Sequence, residues 1–248
     1  MVEEDLVVLI TGATGILGKE LMRTFPDALH PTHSELDICD KMRVHNFMSQ
    51  NRPDVLIHAA ALTGVRECEE NRRLAYETNV EGTANLVNAV YECDVDCYFA
   101  YISTACVFYG DVGDYTEDDL PFPKNFYSLT KLLGEFVVRH SQLPKYIVIR
   151  TNFAARERWR HPKAFADRYG TFLFADDLAS AIKSVLDTAL TGIVHVCGEE
   201  KMSLLELARI TTPDVAPTTL AEYEGPPLTV DMSLRSVRIA PFKIRKTI

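Results

Sequence analysis

Leu6-Val7-Val8-Leu9-Ile10-Thr11-Gly12-Ala13-Thr14-Gly15-Ile16-Leu17-Gly18 joins an aliphatic run to a glycine-rich loop. An aliphatic run too short for a helix ends at Thr11, and a GxxGxxG loop follows that opens a helical period. Glycines at that spacing permit a tight turn and close backbone approach to a pyrophosphate. The helix start behind them turns unpaired N–H groups towards negative charge. A ligand-free strand-to-helix turn has the same spacing, so the rest of the chain must decide between the two.

Working outward, the pattern repeats. Val55–His58, Tyr98–Ser103, Tyr146–Thr151 and Ile193–Cys197 are short apolar runs bounded by turn or polar residues, as buried parallel strands are. Helical-period stretches lie between them at Gly18–Phe25, Lys41–Gln50, Leu74–Tyr91, Ser128–His140 and Asp176–Leu190. Such alternation predicts an α/β fold, a Rossmann-type doubly wound parallel sheet. The regular pattern holds over residues 1–151. Residues 152–248 are predicted as a mixed, smaller substrate-binding portion in which 171–200 returns a helix and a strand to the sheet. Pro213, Pro217, Pro226 and Pro227 break any long element near the C-terminus.

Composition narrows the function. The 248 residues are 47% apolar, enough for a full core, and carry a formal charge of −9, which argues against nucleic-acid or anionic-membrane partners. The acidic start Met1–Asp5 leads into a run too short for a signal peptide or membrane span, so a cytoplasmic protein is expected. Lys243, Arg245 and Lys246 read as a solvated tail. Cys39, Cys68, Cys93, Cys97, Cys106 and Cys197 show no CxxC pairing, so reduced thiols and no metal site are expected.

Tyr127-Ser128-Leu129-Thr130-Lys131 puts a phenol and an ammonium four residues apart on one helical face. A nearby cation favours phenolate, which would make the tyrosine an acid-base group at neutral pH. A surface tyrosine beside a solvated lysine is the bland alternative. Position raises the pair above it, because it follows the strand ending in Ser103-Thr104, at the edge where such sheets bind ligands. A hydroxyl there can hold a carbonyl oxygen. Near Pro31–Ile38 no acid sits at the strand tip, which leaves room for a 2′-phosphate near His33 and Ser34. No arginine is in place to clamp it, and the cofactor reading leans only slightly to NADP(H) over NAD(H).

These elements, with TGATGILG (11–18), LDICD (36–40), IHAAALTGV (57–65), ETNVEGTANL (77–86), ISTACVFYGD (102–111), YTEDDLPFPKNFYSLTKLLGE (115–135) and TGIVHVCGEEKMSLLELARI (191–210), resemble the extended short-chain dehydrogenase/reductases that act on nucleotide-sugars. The chain is most similar to those of the dTDP-4-dehydrorhamnose reductase type. The resemblance implies NAD(P)H-dependent reduction of a nucleotide-activated 4-keto-sugar. It makes Thr104 and Tyr127 catalytic, with Lys131 on the nicotinamide ribose. Gly12, Thr14, Gly15, Ile16 and Leu17 would line the pyrophosphate, Asp37 and Ile38 the adenine, and Ala59, Ala60 and Ala61 the adenosine side. Ser103 would touch nicotinamide or only finish the strand. A homodimer is compatible with the resemblance.

The chain also departs from that family. Where the reductases read STDYVF, this chain reads Ser103-Thr104-Ala105-Cys106-Val107-Phe108, without two polar substrate-facing groups. Ala105 and Cys106 also take the place of the Asp-Glu pair of the 4,6-dehydratases, which disfavours dehydration. The segment between Arg150 and Ala175 is short for the family, implying a trimmed pocket. Within it Arg156, Arg158, Trp159 and Arg160 are candidate substrate contacts, a base-stacking ring among diphosphate-binding cations, with a solvated basic loop as the alternative. Two other functions stay open: an epimerase with retained NAD, and a non-catalytic dinucleotide-binding regulatory subunit. His58 reads as structural, Asn79 as bracing its helix against the active-site strand, and Cys106 as a small buried residue.

Overall fold

The protein is described here by a computed structural model, covering residues 6–246; the acidic Met1–Asp5 segment lies outside the described residues. Strand β1 is Val8–Thr11, shorter than predicted because the Val7 amide is bound to the Asp54 carboxylate at 2.7 Å. Helix α1 (Ile16–Thr24) follows the glycine loop. Helix α2 (Lys41–Asn51) starts where the Asp40 carboxylate accepts the Arg43 amide, an N-cap that fixes its first turn. Strand β2 is Val55–His58.

A short helix α3 (Val65–Glu70) comes first, and the helix predicted over Leu74–Tyr91 follows as a continuous run with a widened turn inside it: α4 (Arg72–Tyr76), a π-helical turn over Glu77–Glu81, and α5 (Gly82–Glu92). The widened turn carries Asn79. Strand β3 (Tyr98–Thr104) is buried along its whole length, α6 is Phe126–Arg139, and β4 is Lys145–Thr151. Residues after β4 contribute β5 (Phe153–Ala154), β6 (Lys163–Phe165), β7 (Tyr169–Gly170) and β8 (Leu173–Phe174). Then come α7 (Ala175–Asp187), β9 (Gly192–His195), β10 (Met202–Ser203), α8 (Leu204–Thr211) and β11 (Ala216–Thr218).

The main sheet runs β1-β2-β3-β4-β9, all parallel. On the far side of β1 a single residue, Leu29, completes the edge, its amide donating to Val8 and its carbonyl accepting from Ile10. The chain thus leaves β1 to one side, touches the sheet at Leu29, and crosses back to β2 on the other side. That reversal opens a crevice beyond the carboxyl ends of β1 and β2, the switch point of a doubly wound sheet.

Successive residues of each strand enter opposite cores. Ile10, Ile57, Ala100 and Ile147 pack with α1 and α7, while Leu9, Leu56, Phe99 and Val148 pack with α2 and α5. Helix coverage on both faces is why these strands read as continuous apolar runs. The short pairs β5–β8, β6–β11 and β7–β10 lie outside the main sheet, and α8, opened by a Ser203/Glu206 capping box, packs on β6. No described helix is long and apolar enough to cross a membrane.

One expectation is corrected at the C-terminus. Arg245 is not part of a solvated tail: its guanidinium pairs with Asp176 and Asp177 at the start of α7, where Arg156 pairs with the same two carboxylates. Lys246 reaches Glu200 at 2.6 Å. The segment at Arg245 is thereby fastened to the helix that covers the sheet. Asp177, only 5% exposed, also accepts the Arg245 amide. Asp177→Ala is expected to lower stability by about 1–3 kcal/mol, or roughly 2–4 °C in Tm per kcal/mol at this length. It should also make the C-terminal segment the first site of limited proteolysis. An unchanged Tm with that segment still protected would disprove the fastening role.

Candidate active site

A cavity of about 760 Å³ runs along the carboxyl ends of β1 to β4, from the glycine loop to Tyr127 and on to Arg168 and Met232. Its first wall is a cradle that tolerates no side chains. Gly12 has φ +78, and a Cβ on it would stand 2.5 Å from the Ala60 amide nitrogen. A Cβ on Gly18 would stand 2.1 Å from the Gly12 carbonyl, so α1 reaches the loop only because position 18 is bare. Gly15 caps α1 without any side-chain hydrogen bond, leaving the first-turn amides directed into the cavity beside Thr14, Ile16 and Leu17. The residues present therefore fit a dinucleotide pyrophosphate.

Ala59, Ala60 and Ala61 form the facing wall, and Asp37 and Ile38 the far end. The Asp37 carboxylate accepts the Cys39 amide, and Ile38 fills the space a Cβ on Gly82 would occupy. The sequence showed no arginine near His33 and Ser34, but the structure supplies one: Arg43 of α2 donates to the Ser34 carbonyl at 2.7 Å. It is 45% exposed and also lies 3.6 Å from the Asp40 carboxylate, while His33 lines the cavity.

His58 is structural, as the sequence suggests. The Thr83 hydroxyl donates to the Asn79 carbonyl and so accepts from Nε2–H of His58, while Nδ1 accepts from Thr11. Burial, with Lys131 nearby, drives its pKa down to about 3, so the ring stays neutral. Asn79 braces other elements than the expected strand: its side chain accepts the Leu62 amide and donates to the Leu62 carbonyl and the Thr130 hydroxyl. The loop after β2 is thus tied to α6 one residue before Lys131.

Helix α6 is set by its first turn. Asn125 accepts the Ser128 amide and donates to the Pro227 carbonyl, and Glu69 accepts the Phe126 amide at 2.8 Å. Tyr127 and Lys131 both line the cavity, with Thr104 at the tip of β3. Thr104 accepts the Cys106 amide at 3.1 Å, which leaves its hydroxyl proton free to donate. Burial pushes the Tyr127 phenol up from its usual value; Cys106 adds to this and the Thr104 hydrogen bond opposes it. Lys131 is not among the groups acting on Tyr127. Its ammonium lies 4.1 Å over the Tyr101 ring, and burial pulls its pKa down to about 7 against the opposing pull of Glu135. The sequence-based view that Lys131 lowers the tyrosine pKa is therefore corrected. The pair presents a protonated phenol and a lysine poised near neutrality.

One helical turn beyond Lys131, Glu135 is fully buried and accepts Ser103 at 2.5 Å and Arg150 at 3.0, 3.2 and 2.7 Å. Ser103 lines the cavity, but its hydroxyl is committed to Glu135. Gly134 lies beside the Tyr101 hydroxyl, 2.2 Å from where a Cβ would be.

The proposed substrate arginines are elsewhere. Arg156 is held by Asp176 and Asp177, Arg158 is exposed, and Arg160 lies 3.7 Å from Glu157. Trp159 packs in a small cluster with α8, its indole donating to the Lys163 carbonyl. None of the four lines the cavity. Arg168 does, together with Cys106 and Met232. No motif marks Arg168; a lone arginine before an aromatic-glycine pair carries no signal without the fold around it. No group of three metal-ligating side chains gathers among the described residues, and all six thiols are free.

Comparisons with known proteins agree with this geometry. The family model described as "RmlD substrate binding domain" matches residues 6–159. A dTDP-4-dehydrorhamnose reductase of Aggregatibacter actinomycetemcomitans is 31% identical, covering 81% of this chain and 76% of the relative. Methionine adenosyltransferase 2 subunit beta of Rattus norvegicus is 27% identical, over 81% and 70%. Among solved structures, dTDP-4-dehydrorhamnose reductase from Bacillus anthracis in complex with NADP superposes with a TM-score of 0.85 at 28% identity, covering 93% of this chain and 90% of that one.

Lys131 should lose its proton as the pH rises through about 7. NADPH affinity, measured by fluorescence titration, is therefore expected to weaken across that pH. Lys131→Arg, which keeps its charge, should remove this part of the dependence. Superimposable pH profiles for the two proteins would rule the assignment out.

Proposed function

The chain belongs to the family of the RmlD substrate binding domain, and from that membership we propose that it is an NAD(P)H-dependent reductase of a nucleotide-activated 4-keto-sugar. The observation that carries the reading is the convergence of Thr104, Tyr127 and Lys131 on the cavity that the glycine cradle opens. When bound, the dihydronicotinamide supplies a hydride to the carbonyl carbon. Thr104 donates a hydrogen bond to the carbonyl oxygen, polarising it, and Tyr127 hands that oxygen its proton. A phenol kept protonated by burial suits a step in which it acts as an acid. Lys131, steadied by Tyr101, would hold the nicotinamide ribose.

Ala105 and Cys106 offer no acid-base pair for eliminating water, which favours reduction over dehydration. Arg43 and His33 beside Ser34 favour NADP(H), the cofactor of the Bacillus anthracis structure. A cytoplasmic setting with reduced thiols belongs to the same proposal. So does a homodimer, in keeping with Leu129 and Phe136 left exposed on α6.

The test is consumption of NADPH and NADH, followed separately, on mixing the protein with a 4-keto-6-deoxy nucleotide-sugar. Wild type is expected to consume NADPH, and Tyr127→Phe to be slower by roughly 10²–10⁴-fold. No consumption by folded, NADPH-binding wild type would overturn the reading. Isomerisation without added reductant would assign an epimerase, and neither activity a non-catalytic subunit like the methionine adenosyltransferase relative. Arg43→Glu should cut the preference for NADPH over NADH by about tenfold; an unchanged ratio would remove Arg43 from the phosphate site.

A further inference from the structure

Arg168 stands apart from the other arginines of the second half of the chain. Arg150 is ion-paired with Glu135, and Arg156 and Arg245 share Asp176 and Asp177. Arg168 is half-buried and within 4 Å of no carboxylate among the described residues. Its Nε donates to the Thr229 carbonyl at 2.9 Å, and its guanidinium lies 5.6 Å from the Phe165 ring centroid. The neighbouring Asp167 carboxylate is taken up by the Leu220 amide. The backbone is fixed too: the Arg168 carbonyl accepts the Leu204 amide, and the Tyr169 amide is bound by Val230. A partly desolvated cation, rigidly mounted on the wall of a cavity and without a counterion, is built for an anionic ligand. The nearby start of α8 does not compete for that ligand, because Ser203 and Glu206 close its first turn.

What lies between Arg168 and the catalytic hydroxyls defines the ligand further. Met232 Sδ is 3.9 Å from Arg168 Nη2 and 3.7 Å from Cys106 Sγ, and the Cys106 amide is bound to Thr104. Two sulfur atoms thus lie in a chain of contacts between the guanidinium and the Thr104 hydroxyl. Neither presents a strong hydrogen-bonding group, so they suit an apolar, deoxygenated ring face.

We propose that Arg168 binds the diphosphate of the nucleotide-sugar, with the sugar ring lying across Cys106 and Met232 and its carbonyl at Thr104 and Tyr127. The assignment rests on the reductase reading for the position of the carbonyl. It moves anion recognition from the 156–160 loop to the residue preceding β7. Specificity then comes from one cation at a set distance from the reacting centre, which rejects free 4-keto-sugars.

The experiment uses the protein saturated with NADPH. Thymidine diphosphate and inorganic pyrophosphate are titrated by calorimetry into wild type, Arg168→Gln and Arg168→Lys, and KM and kcat are measured with the 4-keto-6-deoxy nucleotide-sugar. Arg168→Gln is expected to weaken thymidine diphosphate binding and raise KM at least tenfold, with NADPH affinity unchanged. Arg168→Lys should recover part of the loss, and it carries the test if the glutamine variant fails to fold. Unchanged diphosphate affinity and KM in a variant that still binds NADPH would overturn the proposal while leaving the reductase reading standing. Arg168-dependent diphosphate binding by a wild type that reduces no nucleotide-sugar would do the reverse.

Discussion

A carboxylate and a guanidinium cut off from water hold the catalytic helix in place. Glu135 and Arg150 are 0% and 1% exposed, and their pair joins α6 to β4, while Ser103 brings β3 onto the same carboxylate. Desolvating two charges is tolerable only when the geometry is good and the remaining lone pairs are satisfied, and here the carboxylate receives donors from both strands. The pair fixes the rotation of α6 about its own axis. Once Glu135 faces the sheet, Lys131 one turn earlier and Tyr127 two turns earlier must line the cavity. Burial of Lys131 beside this pair works against holding a proton on the lysine, with Glu135 pulling the other way.

The electrostatics of the cavity follow from burial more than from pairing. His58 is neutral, Tyr127 is protonated and Lys131 is balanced near neutral pH, each shifted first by loss of water. The wall offers an anion the uncapped first turn of α1 at one end and the cations Lys131 and Arg168 elsewhere. The cavity is thus charge-complementary to an anionic cofactor and substrate although the whole chain is acidic.

Much of this was legible in the sequence, for a physical reason. The glycine loop, the five strand cores and the Tyr127/Lys131 pair are local patterns whose meaning depends on neighbours a few residues away. The places of Arg43 and Arg168 were not legible because they depend on which loops the fold brings to them, Ser34 in one case and Cys106 with Met232 in the other, and the roles proposed for them rest on those neighbours. The arginines at 156, 158 and 160 misled for the complementary reason: a basic cluster announces charge but not its partners, and Asp176 and Asp177 lie about twenty residues on. Leu74–Tyr91 was read as one helix because periodicity does not register the extra residue that makes a π-turn at Glu77–Glu81.

Gly134 gives this architecture an engineering consequence. Glycine inside a helix costs about 1 kcal/mol relative to alanine, so a consensus or propensity-based redesign would replace it first. Here the missing methyl is the room taken by the Tyr101 hydroxyl, and the Tyr101 ring is the pad on which Lys131 rests. A change that improves the helix in isolation would tilt the pad, and through it the lysine. The enzyme keeps a weaker helix so that its active-site floor stays level, and thermostabilisation of this protein has to begin somewhere other than its most obvious target.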